Sequence, residues 1–183
     1  GAWTGSRLWG VQPDFSCTAK AITNAYFPFG AVMIAEGVAQ VFEKDETGKA
    51  AIGHGYTYSG HPVGAAAALA TLAETKRLRV NENAAARGAQ MFDGLKALKA
   101  KHSAIGDVRG GHGLMLAIEM VGDRATKSAP DKAVPALVQK VAYESGAMVR
   151  VSGPNIILSP PLVITEGDAA VILSALDKGF SAL

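Results

Sequence analysis

The sequence contains a single cysteine, Cys17, and no run of basic residues. One cysteine excludes a disulfide within the chain and is typical of proteins from a reducing compartment, so we expect a cytoplasmic protein. The formal charge is only +2, which gives no support to nucleic-acid or anionic-membrane binding. Apolar runs end at Gly, Pro or charged residues well short of the roughly 20 residues that cross a membrane. No cysteine–histidine cluster indicates a metal site.

Hydrophobic residues make up 49% of the 183 positions, which is enough for a substantial core. Residues 15–19 and 30–35 are mostly small or apolar and predict two short buried strands. A helix is expected to begin at Pro62, because a missing N–H costs nothing in a first helical turn, and to run to about Leu78. Small residues dominate this helix, which favours close packing against other backbone.

The remaining hundred or so positions predict a small α+β domain. Asn81 is expected to begin a second helix, and Thr165 is expected to cap the last one. Between them, the apolar patterns predict two strands near residues 108 and 114–121, a helix over 131–145, and a hairpin formed by 147–151 and 155–158.

Lys20 stands at the end of the first predicted strand. An ammonium in that position is costly unless it is paired, neutralised or able to reach water. A Schiff base with a carbonyl cofactor is one chemistry that uses a lysine in this way. A lysine that extends its charged head into solvent is the structural alternative, and the spacing alone favours that alternative.

Three stretches of sequence point beyond this local pattern. They are DFSCTAK and PFGAV at residues 14–20 and 28–32, GHGYTYSGHPVG at 53–64, and MVRV with SPPLV at 148–151 and 159–163. In this collinear order the chain resembles the C-terminal portion of the class III, or omega, aminotransferases. The resemblance implies pyridoxal 5′-phosphate (PLP) as cofactor and the fold-type I architecture. We therefore expect an α/β protein in which part of a large domain, with a mostly parallel sheet, precedes a small α+β domain.

The resemblance implies a role for four residues. Lys20 would form the Schiff base with PLP and move a proton, which requires an amine that is neutral part of the time. Thr57 would contact the cofactor phosphate of a neighbouring subunit, and Tyr56 would line the active site beside it. Arg150 would bind the substrate carboxylate as a bidentate fork. The alternatives are a structural Gly-rich turn around Thr57, with Ser59 or His61 capping the helix, and a surface hairpin arginine at 150.

The resemblance carries further expectations. Residues 1–78 would belong to the PLP-binding large domain and residues 79–183 to the small domain. The protein would be a homodimer with shared active sites, and it would pass an amino group from a primary or omega amine to a keto acid such as pyruvate. The aspartate that pairs with the pyridinium nitrogen in this family would lie upstream of Gly1. We therefore expect a longer natural chain.

Two rival functions remain open at this point. Other class III reactions, such as those of aminomutases and decarboxylases, use the same lysine. A non-catalytic or incomplete fragment is the rival from a different class, because much of the large-domain sheet is missing from the sequence.

Overall fold

The computed structural model describes residues 1–183, which form two compact units. The N-terminal unit is Ala2–Arg79, and the C-terminal unit is Val80–Leu183 together with Gly1. No helix in either unit has the length and apolar composition that crossing a lipid bilayer requires.

The N-terminal unit contains one strand pair and three helices, with a single 3-10 turn, η1, directly after the first strand. Its elements are α1 (Gly5–Trp9), β1 (Phe15–Thr18), η1 (Lys20–Ile22), β2 (Ala31–Ile34), α2 (Glu36–Glu43) and α3 (Pro62–Arg77). The strands pair antiparallel, from Phe15 opposite Ile34 to Thr18 opposite Ala31. Helix α3 begins at Pro62 and ends at Arg77, so the predicted start is confirmed.

The prediction that both strands are buried is wrong for these residues. Phe15 is 55% exposed and Val32 is 60% exposed, and the thiol of Cys17 is exposed as well. The positions of the strands follow the sequence pattern, but two paired strands have two faces to cover and no helix packs extensively on them. All strand pairs in the chain are antiparallel, so the mostly parallel sheet implied by the resemblance does not lie within these residues.

The C-terminal unit is an α+β unit with three helices and a four-stranded antiparallel sheet of order β3-β4-β6-β5. Its elements are α4 (Val80–Lys101), β3 (Ile105–Arg109), β4 (Leu116–Met120), α5 (Ala133–Glu144), β5 (Arg150–Ser152), β6 (Asn155–Leu158) and α6 (Glu166–Ser181). Each predicted helix and strand of this region is present, with shifts of a few residues at the ends. The predicted cap is confirmed, because the Thr165 side chain accepts from the Asp168 backbone N–H in a capping box.

The core of this unit lies where the helices cover one face of the sheet. Strand β4 buries alternate residues, with Leu116, Ile118 and Met120 facing inward. Helix α4 meets that core along one stripe with a spacing of three or four residues, as an amphipathic helix does. The buried residues of the stripe are Val80, Ala84, Gly88, Met91, Leu95 and Leu98.

Arg124 and Asp177 fix the C-terminal end of α4. The Arg124 guanidinium donates to the carbonyls of His102 at 2.6 Å and Ile105 at 2.8 Å, as well as to the Lys99 carbonyl. From α6, both carboxylate oxygens of Asp177 accept from Lys101 Nζ at 2.7 Å. Because a helix end leaves carbonyls without intrahelical partners, the bond from Arg124 to the Lys99 carbonyl satisfies such a group from a distant part of the chain.

The pKa of Asp177 is lowered, first by the hydrogen bond from Lys101 and then by the one with His102, whose Nε2 lies 2.6 Å from Oδ1. A carboxylate with a depressed folded-state pKa contributes stability above its unfolded value of 3.8 and loses it as pH falls through the folded value. Asp177→Asn is therefore expected to lower Tm by roughly 2 °C near pH 7, and this loss is expected to shrink as pH falls below the unfolded value of 3.8.

Thermal unfolding followed by circular dichroism between those pH values measures this effect. Asp93→Asn is the matched control, because Asp93 pairs with Lys96 within one exposed helical face and is expected to contribute little at any pH. Equal losses from both variants, or an Asp177→Asn loss that persists in acid, would contradict the assignment.

Candidate functional site

Lys20 occupies the junction between β1 and η1. The strand ends at Thr18, Ala19 is extended, and Lys20 then adopts a left-handed backbone with φ 53°. Left-handed residues other than glycine are uncommon and cluster at functional sites, because such strain persists only where the surroundings impose it. The Lys20 side chain is exposed, and no hydrogen bond or ion pair within the chain engages its amine. The chain therefore presents a free amine on a constrained backbone, although the expected burial is not provided by these residues.

Thr57 lies in a tight turn directly ahead of α3. The Ser59 N–H donates to the Tyr56 carbonyl at 2.9 Å, and the Tyr56 N–H donates to the Ser59 hydroxyl at 3.0 Å. His61 closes the turn, because its Nδ1 accepts from the Val63 N–H at 3.2 Å as the cap of α3. Of the two capping candidates in the sequence, His61 is thus the one that caps. The Thr57 hydroxyl is exposed and unengaged, one turn from the positive end of a 16-residue helix.

Tyr56 is 64% exposed, and its ring meets the His54 ring edge-on with centroids 6.1 Å apart. Neither ring is part of a core, so the tyrosine is available to line a site next to Thr57.

The lysine and the threonine turn are connected through Phe27 and Phe29. The Phe27 ring lies 5.1 Å from the His61 ring, centroid to centroid. A Cβ placed on Gly64, in the first turn of α3, would lie 2.5 Å from the Phe29 ring and 3.1 Å from the Phe27 ring. Only glycine permits this approach without a shift of the rings. The segment that follows Lys20 therefore packs directly on the start of α3.

Arg150 lies in the C-terminal unit, at the first position of β5. It is opposite Ile157 in the hairpin, whose turn contains Gly153 with φ 58°. Its guanidinium is exposed and has no partner within the chain. Arg150 also lines a cavity of about 770 Å³ whose walls are mainly apolar, including Met148, Val163 and Ile172. A planar fork of donors beside an apolar cavity is suited to a carboxylate that carries an organic group.

Sequence reasoning missed Thr23. It is the one polar residue of the chain that is fully buried, at 1% exposed, and its hydroxyl donates to the Phe27 carbonyl at 2.6 Å. The sequence shows only a hydroxyl residue three positions after the lysine. Its burial depends on the fold of the loop and could not be predicted from its position in the sequence.

Comparison with known proteins identifies a family. The sequence model of the family described as class-III aminotransferases matches residues 1–180. An uncharacterised aminotransferase of Sinorhizobium fredii is 40% identical over 182 residues, and the taurine–pyruvate aminotransferase of Bilophila wadsworthia is 35% identical over 189 residues. These alignments cover 97% and 99% of this chain but only 39% and 41% of the relatives, so the chain spans about two fifths of their length.

Solved structures agree with the sequence comparison. The PLP-bound amine transaminase from an uncultivated Pseudomonas species superposes with a TM-score of 0.91 at 41% identity, covering 99% of this chain and 41% of that one. An (S)-enantioselective omega-transaminase from Thermomicrobium roseum gives a TM-score of 0.85 at 34% identity, covering 97% and 39%. The predicted resemblance and fold class are both confirmed. The chain belongs to the class-III aminotransferases.

Proposed function

We propose that the full-length protein is a PLP-dependent aminotransferase that moves an amino group from a primary amine or omega-amino compound to a keto acid such as pyruvate. The observation that carries the proposal is the free amine of Lys20 on a left-handed backbone at the end of β1. It occurs in a chain that matches the class-III family over residues 1–180. The taurine–pyruvate enzyme among the relatives supports pyruvate as acceptor.

The donor set of the N-terminal unit fits two parts of PLP. Lys20 offers an amine for the aldehyde. Thr57 offers a hydroxyl, and the N-terminal end of α3 offers a positive dipole, for the phosphate of the PLP held by a neighbouring subunit. We propose these as the cofactor contacts, with Tyr56 lining the site beside Thr57. When bound, PLP supplies an aldehyde that reacts with amines and a ring that accepts electrons from the substrate α-carbon.

Lys20 has two tasks in this proposal. Its Nζ would hold the cofactor aldehyde, and the same amine, when free, would move a proton between the substrate α-carbon and the cofactor. An amine does this only while it is neutral, which requires a desolvated site. The amine is exposed within these residues, and the chain spans about two fifths of its relatives. We therefore propose that the remainder of the full-length protein covers Lys20.

We propose that residues 1–78 belong to the PLP-binding large domain and residues 79–183 to the small domain. The boundary between the two compact units, after Arg79, supports this division. We also propose a homodimer with shared active sites, supported by apolar side chains that α3 exposes, including Val63 and Leu69. A cytoplasmic location is proposed because the one cysteine is an unpaired thiol.

Arg150 is proposed to hold the substrate carboxylate beside the apolar cavity that it lines. In the full-length protein loaded with PLP, Arg150→Ala is expected to raise the KM for pyruvate about 10- to 100-fold, because a bidentate charged hydrogen bond is lost. The kcat is expected to change by less than about threefold, since the carboxylate is held equally in ground and transition states. Alanine formed from pyruvate and a primary amine, measured by chromatography, gives both constants.

Arg109→Ala is the matched control, since Arg109 is an exposed strand arginine in the same unit that pairs with Glu119. It is expected to leave both constants unchanged. No alanine formed by the wild-type protein would overturn the proposed function, whereas an unchanged KM in Arg150→Ala would remove only the role of Arg150.

A further inference from the structure

Thr23 lies in the loop that links β1 to β2, three residues after Lys20. Its backbone N–H donates to the Lys20 carbonyl at 3.3 Å, and its own carbonyl accepts from the Tyr26 N–H at 3.0 Å. Its hydroxyl donates to the Phe27 carbonyl. Thr23 thus makes three hydrogen bonds within the loop, and one of them is to the backbone carbonyl of Lys20.

The loop needs this support because it contains three left-handed residues other than glycine. They are Lys20 with φ 53°, Asn24 with φ 48° and Ala25 with φ 63°. A backbone of this kind relaxes unless neighbouring contacts hold it. Besides backbone hydrogen bonds, the loop has one side-chain hydrogen bond, that of Thr23, whose side chain is buried and therefore shielded from competition by water.

The far end of the loop is fixed on α3. Phe27, whose carbonyl accepts from Thr23, packs its ring against His61, and Phe29 packs against Gly64. Thr23 therefore bonds the Lys20 carbonyl through its N–H and, through its hydroxyl, the carbonyl of a residue whose ring packs at the start of α3.

We propose that Thr23 is a positioning residue for Lys20: its hydroxyl holds the left-handed backbone that presents the lysine amine to an aldehyde. The inference rests on the proposed function, in which that aldehyde belongs to PLP. Thr23 touches neither substrate nor cofactor in this account and acts only through Lys20.

The test uses three variants of the full-length protein. Thr23→Val removes the hydroxyl and keeps the shape, and Thr23→Ser keeps the hydroxyl. Thr71→Val is the matched control, because the Thr71 hydroxyl donates to the Ala67 carbonyl at 2.9 Å within α3 of the same unit. Comparable Tm values for the two valine variants establish that any difference between them is local.

The first measurement is the rate at which PLP added to the apoprotein attaches to Lys20, followed by absorbance. Thr23→Val is expected to react about tenfold more slowly, which is the effect of one buried hydrogen bond on a barrier. Thr71→Val and Thr23→Ser are expected to stay within about twofold of wild type. A Thr23→Val rate equal to wild type, or a Thr71→Val rate slowed to the same degree, would overturn the inference.

The second measurement is amide hydrogen exchange over residues 20–27 without PLP. Thr23→Val is expected to accelerate exchange in this segment about tenfold, and Thr71→Val is expected not to. Unchanged exchange would overturn the inference whatever the PLP result. If Thr23→Val exchanges faster but the wild-type protein never attaches PLP, the proposed function is overturned, and with it the link to the aldehyde. The stabilisation of the loop by Thr23 would still stand.

Discussion

Lys20→Ala in the full-length protein is expected to slow amino-group transfer about 10²- to 10⁴-fold, because it removes the amine that is proposed to move the proton. Covalent attachment of PLP at this position is expected to be lost as well. Initial rates of alanine formation from pyruvate, at saturating amine and excess PLP, measure the effect. Excess PLP separates slow chemistry from poor cofactor retention.

Two further variants make this result specific. Lys20→Arg keeps the positive charge but cannot serve as a neutral amine, so it is expected to be as inactive as Lys20→Ala. Lys49→Ala removes another exposed lysine of the same unit and is expected to retain wild-type rates. Activity in Lys20→Arg would mean that the charge at position 20 matters and its amine does not, which contradicts the proposed chemistry.

Leu176→Ala is expected to lower the free energy of unfolding by about 2–5 kcal/mol, since it leaves a cavity in a packed core. Leu176 is fully buried on α6, where it joins the cluster that contains Leu95 and Ile118. Urea unfolding followed by circular dichroism measures the change, and an unaltered slope against urea shows that stability alone has changed.

Leu137→Ala is the control for this substitution, because it removes the same atoms from a leucine of α5 that is 39% exposed. Its expected cost is below about 1 kcal/mol. A loss from Leu137→Ala as large as that from Leu176→Ala would show that the core is not packed around α6 as described.

Much of the fold could be predicted from local sequence signals. The start of α3 at Pro62 and the capping box at Thr165 were readable because each depends on residues within one helical turn. The hairpin between β5 and β6 was readable because Gly153-Pro154 separates two apolar runs.

Other features depend on distant parts of the chain and could not be read. Burial of β1 was expected from its apolar residues, but exposure depends on what packs over a strand rather than on its own composition. The support that Arg124 gives to the end of α4 joins residues about 20 positions apart. The burial of the Thr23 hydroxyl could not be predicted either, because nothing in the sequence marks a loop threonine as buried.

The candidate functional residues divide in the same way. Lys20, Thr57 and Arg150 were predicted from short motifs, and the structure leaves each of these side chains exposed and unengaged. What the motifs did not contain is the packing of Phe27 and Phe29 on Gly64, which joins the lysine loop to the start of α3.

Borohydride reduction of the PLP-loaded full-length protein, followed by peptide mapping with mass spectrometry, tests the central claim most directly. Reduction fixes PLP to whichever amine holds it, so the labelled peptide identifies that amine. The account predicts a single label, on Lys20. A label on any other lysine, or no label on a protein that transfers amino groups, would contradict it.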